Sequence, residues 1–255
     1  RRTSTTFGVW PGSGSVCSPE GATMLAMAGG TIFWDVDTQA DFMFSDGALP
    51  VPGAEAIRPN LGRLTAAARA QRLTIVHTAD DHDRHDPEIA DDPDFVDTFP
   101  PHCLRGTPGA ARLPETAAPA GALDIPPDGR GFEVTAAAGA GEIVLRKDRF
   151  DAFSNPAAVP LLRALAPDRV VVYGVALEVC DRYAVEGMLA QGGGFEIVVV
   201  EDAVAALDPD RGAGLLDAWR KPGVRVVTTD ELLAELWPGG SGVFPEPGGS
   251  GVSPG

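Results

Sequence analysis

Six short runs of β-branched and aromatic residues punctuate this chain: GTIFWDV, RLTIVHT, EIVLRK, RVVVYGV, FEIVVVED and VRVVTT. Their near-continuous apolar character predicts strands buried on both faces, as parallel strands are. Most are separated by stretches with helical spacing. In one of these, Ile57, Leu61, Leu64 and Ala68 recur every three or four residues and would lay a helix on the sheet. The alternation predicts an α/β fold with a mainly parallel sheet, in which ligands bind beyond the carboxyl ends of the strands.

The ends of the chain break this pattern. Residues 1–28 are rich in Gly, Ser, Thr and Pro without a sustained period, and residues 238–255 repeat that character. Both read as disordered or foreign to the fold, leaving one domain over 29–237. Residues 114–141, full of Pro, Ala and Gly, have no readable period. Cys17 falls in the first segment and has no expected role.

Composition narrows the partners. A net charge of −16 argues against nucleic acid and anionic membranes, which would repel the surface. No apolar run approaches the roughly 20 residues of a membrane span. The three cysteines, at 17, 103 and 180, have no disulfide or zinc-finger spacing and suit a reducing, cytoplasmic setting. The subunit number is left open, a homo-oligomer included.

Chemistry collects at the strand ends. The first strand ends at Asp37, the second at Asp80 and His82, the third at Lys147, and the fourth leads through GVALEVC to Cys180. Cys180 is expected at a strand-to-helix turn, where free N–H groups favour thiolate; a lone cysteine there can also be a small packing residue. Lys147 is one of only two lysines among 20 basic residues. All four histidines fall between His77 and His102. Asp80-x-His82 places a carboxylate and an imidazole on one side of an extended chain, and His102 can return to complete a three-ligand site for Zn, Mn or Fe. Otherwise DDHDRHDPEIADD is a solvated acidic loop. His85 is a candidate further ligand, His77 a buried strand residue, and Cys103 a structural one.

In this order, DVDTQADF, TADDH, FPPHCLRGTPGA, LRKDRFDAFSNP and GVALEVC resemble the isochorismatase-like cysteine hydrolases, and among them the nicotinamidases. The resemblance spans about Gly29 to Trp237. It implies a three-layer α/β/α Rossmann-like sandwich and an Asp37-Lys147-Cys180 triad. It further implies a non-proline cis peptide before Ala176, with the N–H groups of Ala176 and Cys180 as oxyanion hole. Asp80, His82 and His102 would hold one divalent transition metal, and Phe42 and Phe99 would flank the flat ring of a small amide. The implied activity is metal-assisted hydrolysis of nicotinamide to nicotinate and ammonia through a thioester, in pyridine nucleotide salvage. Another small carboxamide or ureido substrate is the alternative, and a non-catalytic binding protein a remoter one. Three departures bear on the pocket: Phe99 stands where a tryptophan is common before the PPHC step, Asp81 stands where an aromatic is usual between the two ligands, and KDRFDAF lacks the family's tyrosines.

Overall fold

The computed structural model describes residues 30–192 and 194–238. The expectations for residues 1–28, for Cys17, and for the tail beyond Pro238 lie outside the described residues. One sheet holds seven strands: β1 (Thr31–Val36), β2 (Ile75–Asp80), β3 (Leu123–Ile125), β4 (Glu142–Lys147), β5 (Arg169–Val175), β6 (Glu196–Ala205) and β7 (Arg225–Val227). Their spatial order is β3-β4-β2-β1-β5-β6-β7, and every pair is parallel. All six expected strands are present. The seventh, β3, lies in the stretch without a readable period, because three residues at a sheet edge are too few to show one.

Each strand buries alternate residues on opposite faces. Phe33, Val171 and Val198 pack on one side against α2 (Ala54–Ala70) and α7 (Thr229–Leu236). There Leu61, Leu64 and Ala68 are fully buried, as their spacing predicts. Trp34, Val172 and Val199 face the other side, where α4 (Ala158–Leu165), α5 (Arg182–Ala190) and α6 (Pro209–Trp219) contribute Leu161, Leu162, Val185, Met188 and Trp219. Helices on both faces make the three-layer α/β/α sandwich. Each fully buried leucine contributes about 1.5–3 kcal/mol through the apolar surface it removes from water.

Local signals set the helix ends. Thr228 and Glu231 form a reciprocal capping box that starts α7, and the Asp208 carboxylate accepts the N–H groups of Asp210 and Arg211 to start α6 at Pro209. Among the described residues, no helix is long and apolar enough to cross a membrane.

The topology locates the site. The chain builds outward from β1 through β2 to β4, then returns so that β5 pairs with the other edge of β1. The carboxyl ends of β1 and β5 thus flank the point where the winding reverses, where a parallel sheet opens a crevice.

Candidate active site

Four neighbouring strands, β4, β2, β1 and β5, deliver Lys147, Asp80, Asp37 and Cys180 to this crevice. All four are buried, at 6% exposure for Cys180 and 1% or less for the others. The Lys147 ammonium lies 2.8 Å from Asp37 Oδ2, contacts Asp80 Oδ1, and points at Cys180 Sγ from 3.6 Å. A carboxylate oxygen of Asp37, one of Asp80 and the Cys180 sulfur all lie within 4.8 Å of one another. Lys147 is therefore no solvated charge.

The backbone is bent to make this approach. Asp37 adopts a left-handed φ of 46°, a conformation that costs a non-glycine residue roughly 1–2 kcal/mol. It is held by Thr78, whose hydroxyl donates to Asp37 Oδ1 at 2.7 Å. Gly174 has φ 131°, and a Cβ there would lie 2.0 Å from the Val36 carbonyl oxygen, so only glycine lets β5 pass the end of β1 this closely. The peptide between Val175 and Ala176 is cis, as the resemblance implies.

Cys180 differs from expectation in two respects. It occupies a π-type turn, Leu177–Asp181, and α5 begins after it at Arg182. Burial, reinforced by the negative charges of Asp37 and Asp80, pushes the thiol well above its usual range despite the opposing pull of Lys147. Desolvation therefore opposes the bias toward thiolate expected of a helix terminus. Burial also raises the carboxyl of Asp37, against the opposing effect of Lys147. Burial would raise Asp80 too, but Lys147 and His82 overcome it and hold Asp80 well below the carboxylate range.

Beside the triad, Asp80, His82 and His102 converge, all buried, with ligand atoms within 4.8 Å of one another. The Nε2 atoms of His82 and His102 each stand 3.6 Å from an Asp80 oxygen, too far for hydrogen bonds. Their Nδ1 atoms are engaged elsewhere, His82 with Asp86 Oδ2 at 3.2 Å and His102 with the Pro100 carbonyl at 2.7 Å. Those acceptors fix both Nδ1 atoms as donors and leave both Nε2 atoms facing Asp80, the positions through which neutral rings would bind a metal. Asp80 Oδ2 and His82 Nε2 are buried with no hydrogen-bond partner. The donor set, one carboxylate and two imidazoles, suits a divalent transition metal with open positions. His85 is exposed and stands outside this group. His77 is a buried strand residue, as expected.

Several supporting residues carry no signal in the sequence alone. The fully buried Gln39 amide clamps the Asp80 backbone, accepting its N–H at 2.7 Å and donating to its carbonyl at 2.8 Å. Asp41 Oδ2 accepts the N–H of Cys103 at 2.7 Å and so pins the loop that carries His102. Gly109 leaves room for that carboxylate, which a Cβ would meet at 2.1 Å. Cys103 is fully buried and burial pushes its thiol well up, in keeping with a structural role.

Phe42, Leu49, Val51, Phe99, Phe150, Val179 and Leu207 wall a pocket that Asp80, His102, Ala176 and Cys180 also line. Both predicted aromatics are present, and Phe42 lies 5.2 Å from the His102 ring centroid. Phe150 was not foreseen as a wall residue.

Comparison with known proteins bears on this geometry. The chain is 29% identical over 197 residues to a nicotinamidase/pyrazinamidase of Mycobacterium tuberculosis, an alignment covering 75% of this chain and 95% of that protein. Its fold resembles the zinc complex of a Pyrococcus horikoshii pyrazinamidase, with a TM-score of 0.59, 24% identity, and coverage of 78% of this chain and 98% of that one. It also resembles an N-carbamoylsarcosine amidase from Thermoplasma acidophilum, with a TM-score of 0.60, 25% identity, and coverage of 79% and 97%. The isochorismatase domain profile matches residues 32–231, nearly all of the described fold, and the chain therefore belongs to the isochorismatase family of hydrolases.

Proposed function

We propose that this protein is a metal-assisted cysteine amidohydrolase acting on nicotinamide. The observation that carries the reading is one pocket lined by Cys180, Asp80 and His102, which belong to a buried Asp37-Lys147-Cys180 cluster and an Asp80-His82-His102 donor set. The relative from Mycobacterium tuberculosis, a nicotinamidase/pyrazinamidase, supports the same substrate class.

In this reading Asp37 takes the Cys180 thiol proton as the sulfur bonds to the amide carbon, so no standing thiolate is required. The elevated carboxyl of Asp37 and the elevated thiol fit such a coupled transfer. Lys147 neutralises the carboxylates that flank the nucleophile. The N–H groups of Ala176 and Cys180 are the donors for the tetrahedral oxyanion, each such donor being worth roughly 2.7–4 kcal/mol in other enzymes. Asp37 returns the proton to the departing nitrogen, the C–N bond breaks, and ammonia leaves. Water then cleaves the thioester, giving the carboxylic acid and restoring the thiol. A zinc, manganese or iron ion held by Asp80, His82 and His102 would supply a Lewis-acidic position for a ring nitrogen.

The pocket wall favours an uncharged aromatic amide. Neither arginine nor lysine lines it, so a substrate carboxylate would lack a partner there. Within the second reading, another small carboxamide or ureido substrate, that weighs against compounds bearing a carboxylate, although the similarity to N-carbamoylsarcosine amidase keeps a ureido substrate in view. Ammonia release from nicotinamide, pyrazinamide and benzamide separates them. Nicotinamide and pyrazinamide should be hydrolysed, and benzamide, which lacks the ring nitrogen, should show a much lower kcat/KM. Equal rates for benzamide and nicotinamide, or hydrolysis of a ureido compound alone, would overturn the nicotinamidase reading. Elemental analysis should find about one transition metal per chain, lost in His102→Ala.

A further inference from the structure

One residue outside the pocket holds two of its walls. Glu88 lies in the loop between His82 and His102, and its backbone carbonyl accepts the Phe99 N–H at 2.9 Å. Its side chain reaches to a different segment, where Oε2 accepts the Phe150 N–H at 2.6 Å across 62 residues of sequence. Phe99 and Phe150 both line the pocket and are nearly buried, and their rings meet edge to face with centroids 5.4 Å apart at 85°.

These two rings need such a tie. Phe42, the third aromatic of the wall, stands on α1 (Ala40–Met43), whereas Phe99 and Phe150 stand on connections that no strand register fixes. Phe99 is bound to segment 88–90 through both of its backbone groups, because the Ala90 N–H donates to its carbonyl at 3.0 Å and Ile89 pairs with it in a parallel bridge. Phe150 has less support. It follows Lys147 by three residues, ahead of the short helix Ala152–Ser154, and among the described residues its N–H has no acceptor other than Glu88. Without that carboxylate a buried N–H would go unpaired, and the turn that carries the ring would be free to shift.

Burial raises the carboxyl of Glu88; the Phe150 N–H, Lys147 and Arg149 act against it, and Asp80 adds to it. These neighbours open a rival role, electrostatic support of Lys147, which a neutral isostere separates from a clamp. Glutamine keeps the length and the carbonyl acceptor but not the charge. Aspartate keeps the charge but falls one methylene short of the Phe150 N–H.

We propose that Glu88 is a positioning residue for substrate binding: by holding Phe99 with its backbone and Phe150 with its side chain, it fixes two loop-borne rings as one aromatic wall and so sets the affinity of the pocket for a flat aromatic amide. This role presupposes the amide-hydrolase reading and adds to it a residue that touches neither the substrate nor the metal ligands.

The test uses full-length protein in two forms. In the Cys180→Ala background, where turnover is blocked, calorimetric titration with nicotinamide should show binding weakened about three- to tenfold by Glu88→Ala and by Glu88→Asp, the scale of one misplaced aromatic contact, and by no more than about twofold by Glu88→Gln. In the active enzyme the same Ala and Asp changes should raise KM by a similar factor and leave kcat within about twofold, the pattern of lost binding without a lost transition-state contact. Metal content should stay at the parent level throughout. Unchanged nicotinamide binding in Glu88→Ala overturns the clamp. A Gln variant as weak as the Ala variant also overturns it and assigns the effect to charge beside Lys147. Loss of metal from Glu88→Ala does the same, making Glu88 a brace for the loop that carries His82 and His102. Should Glu88→Ala fail to fold, Glu88→Asp set against Glu88→Gln decides alone. If nicotinamide binds the parent and all variants equally, only the clamp fails; if the enzyme hydrolyses no amide and Cys180→Ala binds none at millimolar concentration, the amide-hydrolase reading fails and the clamp falls with it.

Discussion

Asp35 and Asp37 stand two residues apart at the end of β1, both fully buried, and they are completed in opposite ways. Around Asp35 the carboxylate is closed, although Arg112 Nε beside it is buried without a partner. Its oxygens are bonded by Thr38, His77 and Arg112, and His77 places Nδ1 2.8 Å from Asp35 and Nε2 3.0 Å from Glu142. Around Asp37 the cluster is open: across the Lys147 ammonium lie Asp80 Oδ2 and His82 Nε2, both buried and without partners. Each unsatisfied buried polar atom costs about 1–3 kcal/mol, and these two face one another beside a third donor, His102 Nε2, where a further group can bind. The closed cluster is the pattern of buried charge that holds a structure. The open one is the pattern of a site.

The largest effect that would test this contrast is on turnover. Cys180→Ala should reduce kcat/KM by roughly a million-fold, the scale set by nucleophile removal in a serine protease, while the melting temperature stays within a few degrees. Retained turnover would remove the open cluster from the chemistry.

His77→Ala should do the reverse. It strips a buried partner from both Asp35 and Glu142 and should cost about 3–5 kcal/mol in denaturant unfolding. The fraction that remains folded should still bind metal. Loss of metal with unchanged stability would merge the two clusters.

A smaller change sharpens the open side. Asp86 holds His82 Nδ1 from 3.2 Å, and Asp86→Ala should weaken metal affinity by about 10–100-fold without unfolding the chain. Competition with a chelator measures this.

The mildest probe is pH. His77 and Arg69 outweigh the burial of Glu142 and hold its carboxyl at about 2, below the ordinary 4.5. Because the folded value is the lower one, its stabilisation is complete above about pH 4.5 and is lost as pH falls toward 2. Thermal scans should show the melting temperature falling across that window, and Glu142→Gln should flatten the slope. An unchanged slope would deny the closed cluster its ionic character.

Strand ends were readable because period and composition are local. The run before each of Asp37, Asp80, Lys147 and Cys180 marks a buried strand, and a parallel sheet sends all its carboxyl ends to one side. Other features had no local signature. Gln39 and Asp41 look like ordinary polar residues of a turn, and their roles come from Asp80 and Cys103, which lie 41 and 62 residues away. Arg112 sits in a proline-rich stretch with no period, yet it reaches Asp35. Phe150 reads as one apolar residue after a charged run, and only the return of the chain from β4 sets it against Phe99.

By itself, the sequence determined the alternation of strands and helices, the parallel sheet, and the set of reactive groups at its carboxyl edge, all of which follow from side-chain period along the chain. The tertiary structure decided which of those groups meet and in what state. Proximity across β4, β2, β1 and β5 buries Lys147 between two carboxylates, turns two histidine Nε2 atoms toward Asp80, and surrounds the Cys180 thiol with burial and negative charge that push it upward where a helix terminus would lower it. Those outcomes depend on desolvation and on charges tens of residues apart, quantities that exist only once the chain has folded.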